Sequence, residues 1–142
     1  MPKYKFLEDI ALADIAYEAY GKNLNELFEN AALAIFELSA ELKTVDAKKS
    51  LKVNLKHKNL DNLLYDFLSE ILYLKDAKYV VFKEVKVTIT EGKINKLSAL
   101  LKGDRINSGK QHLENDIKAV TMHLFELKKE KKGYKARIVV DI

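Results

Sequence analysis

Three acids, two histidines and one chain end carry most of the chemistry these 142 residues can offer. Asp14 sits inside Ile10-Ala11-Leu12-Ala13-Asp14-Ile15-Ala16, a run that is otherwise wholly apolar. Burying an isolated carboxylate is costly, so Asp14 must be paired, face a cation, or stand at a rim where a strand emerges. Asp141 follows Ile138-Val139-Val140 and precedes Ile142, an end apolar enough to be held in a sheet. The Asp141 carboxylate is then expected beside the terminal carboxylate of Ile142, and like charges so close ask for a counter-ion. Hard oxygen ligands without sulfur suit Ca²⁺, Mg²⁺ or Mn²⁺. The alternative is a pair of solvent-exposed aspartates at strand ends. Asp66 is the third acid, in mid-helix, where amphipathic helices expose carboxylates routinely. His112 and His123 lie eleven residues apart with no metal-motif spacing, and a lone strand histidine is usually a packed or surface residue.

Several familiar sites are absent from the sequence. There is no G-x-x-x-x-G-K-[ST] run, no G-x-G-x-x-G between a strand and a helix, and no G-x-S-x-G elbow. The absence of cysteine excludes disulfide scaffolds, iron–sulfur clusters, zinc ribbons and thiol nucleophiles together. The formal net charge of +4 raises the question of nucleic acid, but Arg105 and Arg137 are the only arginines among 25 cations. Lysine is a poor vocabulary for bidentate base and phosphate recognition, which leaves a lysine patch as the one route to RNA. No apolar run approaches the roughly 20 residues of a membrane span, and the amino end has no signal-like apolar core. A cytoplasmic protein without a membrane partner is expected.

The elements that must position these groups follow from periodicity. Residues 1–142 fit a single domain. Asn23 with Glu26 forms a capping-box pattern before Leu24, Leu27, Phe28, Ala31, Ala32, Ile35 and Phe36, predicting a helix to about Leu42. A second helix starts near Asn59 and buries Leu60, Leu63, Leu64, Phe67, Leu68, Ile71 and Leu72. Ser50 to Lys56 alternates strictly and reads as a strand, with Leu51, Val53 and Leu55 inward. Further strands are expected at Tyr4 to Leu7, Ile15 to Tyr20, Val85 to Ile89 and Leu97 to Leu101. Ile117 to Lys128 and Tyr134 to Ile142 make a terminal hairpin around a lysine-rich turn. The order predicts an α+β protein, two helices packed on a largely antiparallel β-sheet as a two-layer sandwich.

With these elements in place, the chain resembles the archease family nearly end to end. Phe6-Leu7-Glu8, Ala13-Asp14-Ile15 and Ala19-Tyr20-Gly21 are similar to the family's opening passage, and Leu63 to Leu74 to its second helix. Gly103-Asp104, His112, Ile117-Lys118-Ala119-Val120-Thr121-Met122-His123 and the closing Val139-Val140-Asp141-Ile142 follow in the family's order. One departure stands out: Ala11-Leu12 occupies the place of the family's His-Thr. The resemblance implies a non-catalytic accessory protein of the RtcB-type, GTP-dependent tRNA-splicing RNA ligase, one that promotes ligase guanylylation and repeated turnover. It implies a divalent metal, calcium first and magnesium or manganese next, held by residues that map to Asp14, Asp141 and Ile142. It also implies association with tRNA through the ligase. Asp66, His112, Lys118 and His123 are candidates for the partner-facing surface. Two other functions stay open at this point, a metal-dependent phosphoesterase using the same acids and an RNA-binding chaperone using the lysines.

Overall fold

The computed structural model describes residues 2–7 and 14–142. Glu8 through Ala13, including the Ala11-Leu12 departure and most of the apolar run before Asp14, lie outside the described residues. Seven strands and two helices follow in the order β1 (Tyr4–Leu7), β2 (Asp14–Gly21), α1 (Leu24–Ser39), β3 (Lys49–His57), α2 (Leu60–Lys78), β4 (Val80–Thr90), β5 (Asn95–Arg105), β6 (Ala119–Glu130) and β7 (Gly133–Asp141). Every pairing is antiparallel, as expected for an α+β chain. The strands divide between two sheets, ordered β1-β2-β7-β6 and β3-β5-β4. The second sheet answers a need of α1. Its buried residues run from Asn30 and Ala34 through Leu27, Leu24 and Phe28 to Ala32 and Phe36, about 240° of the helix circumference at roughly 100° per residue, which is wider than one stripe. Such a helix needs cover on two sides, and β2 packs on one and β4 on another. α2 keeps the expected single apolar face, laid against β3 and β6. Among the described residues, no helix is long and apolar enough to cross a membrane.

Local chemistry sets the ends of the elements. Asn23 caps α1, its side-chain oxygen accepting the Glu26 backbone N–H at 2.9 Å. The reciprocal Glu26 carboxylate reaches one residue further back than a standard capping box, to the Lys22 N–H at 3.3 Å. α1 stops at Ser39, short of the expected Leu42, because a strap formed by residues 106–118 takes its last carbonyls. Glu114 and Asn115 donate their backbone N–H groups to Ser39 and Leu38, and Ala40 turns extended to bridge Leu113. At the other end of the first sheet, Gly133 closes the two-residue turn Lys131-Lys132 with φ +144°, and a Cβ there would lie 2.2 Å from the Gly21 carbonyl oxygen. That close approach ties the β6–β7 hairpin to β2.

Candidate functional site

β2 and β7 pair without a register break from Gly21↔Tyr134 to Asp14↔Asp141. The two candidate acids are therefore directly opposed across the ladder. Residues so placed share one face of the sheet, with Cβ atoms about 4.5–5.5 Å apart. Ile15, Tyr17 and Ala19 face α1, and the Tyr17 hydroxyl, fully buried, donates to the Ala31 carbonyl at 2.8 Å. Alternation puts Asp14 and Asp141 on the opposite face. The next row there, Ala16↔Val139, is fully buried, so the acids stand half-buried at the rim of an apolar strip. The row completes on β6 with Ala119, whose methyl leaves that side of the pair open, and the Lys118 N–H donates to the Asp141 carbonyl at 2.8 Å. Ile142 follows directly and packs its half-buried side chain against the main core.

Charge distinguishes this pair from its neighbours on the same face. Glu18, two rows along, has Lys135 at 3.3 Å and lies opposite Arg137. Among the described residues, no lysine, arginine or histidine comes within ion-pair distance of Asp14 or Asp141. Two opposed carboxylates lacking a protein cation form an oxygen-donor set suited to a hard divalent ion. It is a sparse set: among the described residues, no group of three or more His, Cys, Asp or Glu converges. Calcium's preference for six to eight oxygens would have to be met largely by water or by a partner.

The other candidates lie on β6, on the strap and on α2. Lys118 lines a groove of about 250 Å³ between α2 and the start of β6, with Tyr65, Ser69, Tyr73 and Asp76 on the helix side. Asp66 does not line this groove. Its neighbour Tyr65 stacks edge-on against Phe125, six residues along β6 from the Ala119 that pairs with Asp141, and Asp66 itself is half-buried on α2. His112 lies on the strap, its Nδ1 3.1 Å from Glu41 Oε2, while its backbone N–H donates to Thr44 Oγ1 at 2.9 Å. The hydrogen bond from Lys43 chiefly, with His112 contributing, holds the Glu41 carboxyl below the usual carboxylate range. His123 is exposed within a wide bulge, where β6 takes five steps from Thr121 to Glu126 against two along β7. Leu124 adopts φ 56° there, and its carbonyl accepts from Arg137 Nε at 2.9 Å. Met122 and Leu124 are pushed into solvent.

Sequence reasoning did not place Asp14 opposite Asp141, since pairing register is a tertiary property; only the apolar runs flanking both acids pointed to strands. The α2–β6 groove and the bulge left no signal beyond the exposed Tyr73 and the Met122-His123 pair.

Comparison with known proteins gives the family and the fold. The profile of the Archease protein family matches residues 4–142. The protein archease of Archaeoglobus fulgidus is 39% identical over 140 residues, spanning 99% of each chain. That of Methanosarcina mazei is 40% identical over 143 residues, spanning 99% of this chain and 96% of its own. The solution structure of Methanobacterium thermoautotrophicum protein 1598 superposes with a TM-score of 0.87 over the whole of both chains at 34% identity. The crystal structure of a Thermotoga maritima protein, described as an archease and possible chaperone, gives a TM-score of 0.64 over 96% of this chain and 97% of that one. At 22% identity it speaks to the fold alone.

Proposed function

The chain belongs to the archease family, and from that premise we propose that it is a cytoplasmic, non-catalytic accessory protein of an RtcB-type, GTP-dependent tRNA-splicing RNA ligase. It promotes guanylylation of the ligase and lets it turn over repeatedly, meeting tRNA through that partner. The observation that carries this proposal is the Asp14↔Asp141 register at the end of the β2–β7 ladder. Asp14 and Asp141, with Ile142 as the family likeness implies, are the residues that would hold the metal, calcium first. When bound, the cation supplies positive charge and unfilled coordination positions at a molecular edge. The protein's own part is placement. Tyr17 fixes β2 to α1, Ile142 seats the end of β7 on the core, and Lys118 holds the Asp141 backbone from β6. Lys118, the α2–β6 groove, His123 and the strap with His112 form the partner-facing surface, with Asp66 on α2.

Ligation of tRNA halves by purified RtcB-type ligase, with RNA in large excess, tests the proposal. Product should pass one equivalent per ligase only when this protein is added. Product confined to one turnover with or without it would overturn the proposal, as would robust metal-dependent hydrolysis of phosphoesters by this protein alone.

A further inference from the structure

A recess of about 700 Å³ lies away from the acidic pair, on the outer face of the β3-β5-β4 sheet. The register there builds a trough running across the strands. Its floor is the row Asn54↔Ser98↔Thr88, three short polar side chains. One wall is Lys52↔Leu100↔Lys86, and the other is Lys56↔Lys96↔Thr90. Recesses of about 700 and 390 Å³ lie on either side of this floor and share its residues. The walls are four residues apart along each strand, or about 13 Å, and the floor spans about 10 Å from β3 to β4. Lys56 and Lys96 stand directly opposite each other, an arrangement that costs stability in a sheet. Among the described residues, none of the four wall lysines has an acid within ion-pair distance, whereas Lys43, Lys48, Lys75, Lys128 and Lys135 all do.

We infer that this trough binds the phosphate backbone of single-stranded nucleic acid. Four amines on two walls complement a polyanion, and hydroxyl and amide groups on the floor add phosphate hydrogen bonds. The width admits one strand, while a duplex would rest on the rims. A protein partner would need an apolar or aromatic anchor; the three rows offer only Leu100, and Leu55 and Leu97, which also border the larger recess, are committed to the core on the inward face. The same lack of aromatic side chains removes base stacking, so binding is independent of sequence and strongly dependent on salt. The inference rests on the charge pattern of this sheet, not on the ligase proposal, and it is tested without the ligase.

Fluorescence anisotropy of a labelled 12-nucleotide oligouridylate, titrated with the full-length protein, provides the test. With four phosphates neutralised at a slope near −0.7 each, affinity should fall about 50-fold between 50 and 200 mM salt. Lys52→Gln, Lys56→Gln, Lys86→Gln and Lys96→Gln together should weaken binding at least tenfold at 50 mM salt. The same change in net charge made at exposed Lys3, Lys110, Lys131 and Lys132 should alter it by no more than about twofold. Equal losses in the two variants would overturn the inference, because net charge rather than the trough would then be responsible. Tighter binding of an RNA duplex or of polyglutamate than of the oligouridylate would overturn it as well.

Discussion

A carboxylate set directly opposite another in a β-ladder works against the fold, by about 0.2–1 kcal/mol relative to a neutral pair. Asp14 and Asp141 stand in that relation, and no cation among the described residues offsets it. A residue pair that weakens the apo protein yet suits a hard cation suggests that stability has been given up for binding. The consequence is a reversal of rank order. Asp14→Asn keeps the shape and removes one charge, so in chelator it should melt about 1–3 °C above the parent. Excess calcium should then raise the parent, by about 2.7 kcal/mol at a concentration one hundred times the dissociation constant, and leave the variant where it was. Thermal melts of both proteins in EDTA and in calcium check this. A variant that melts below the parent in EDTA would mean that protein groups already stabilise the pair.

At the level of elements, β2 carries the site and Tyr17 fixes β2 to the body of the protein. Its buried hydroxyl, three residues from Asp14, donates to Ala31 on α1, and burial pushes its pKa far above the ordinary tyrosine value. Tyr4 on β1 is also pushed up, first by burial and then by its hydrogen bond to the Glu37 carboxylate. The sign of the linkage is fixed by these directions. Below about pH 10 the tyrosines are protonated in both folded and unfolded chains, so stability does not depend on them. Above it the unfolded chain releases protons that the folded chain retains, and stability falls by about 1.4 kcal/mol per pH unit for the fully buried Tyr17 and by less for Tyr4, whose partial exposure lets solvent screen its charge. Urea unfolding at pH 8.5, 10 and 11 should show this loss. Tyr17→Phe should make it shallower while lowering stability at pH 8.5 by about 1 kcal/mol for the lost hydrogen bond. An unchanged alkaline slope in that variant would show that Tyr17 ionises freely. These elements were legible to different degrees. The Asn23 cap and the alternation of β3 are local patterns, and both appear as the sequence predicts. The end of α1 at Ser39 is set by a strap some 75 residues later, and no local pattern carries that information.

Across the whole molecule, the division was between what periodicity encodes and what pairing decides. Alternation and the two apolar helix faces gave the α+β class. The split into two sheets follows from α1 being buried on most sides, which the sequence carries in Ala32 and Phe36 on one flank of the stripe and Ala34 on the other. Asp14 and Asp141 stood out because each interrupts or ends an apolar run, but their opposition needed the β2–β7 register. The lysine trough was invisible for the same reason. Lys52, Lys56, Lys86 and Lys96 come from three strands and converge only through β5. The molecule thus presents an acidic edge at the end of one sheet and a basic trough on the outer face of the other. The central claim concerns the acidic edge, and transfer of labelled GMP from GTP to a purified RtcB-type ligase measures it most directly. Substoichiometric parent protein with calcium should raise the amount of guanylylated ligase, and Asp14→Asn, shown to be folded by its melt, should leave it at the level of ligase alone. Full stimulation by the folded Asp14→Asn protein, or none by the parent, would contradict the account.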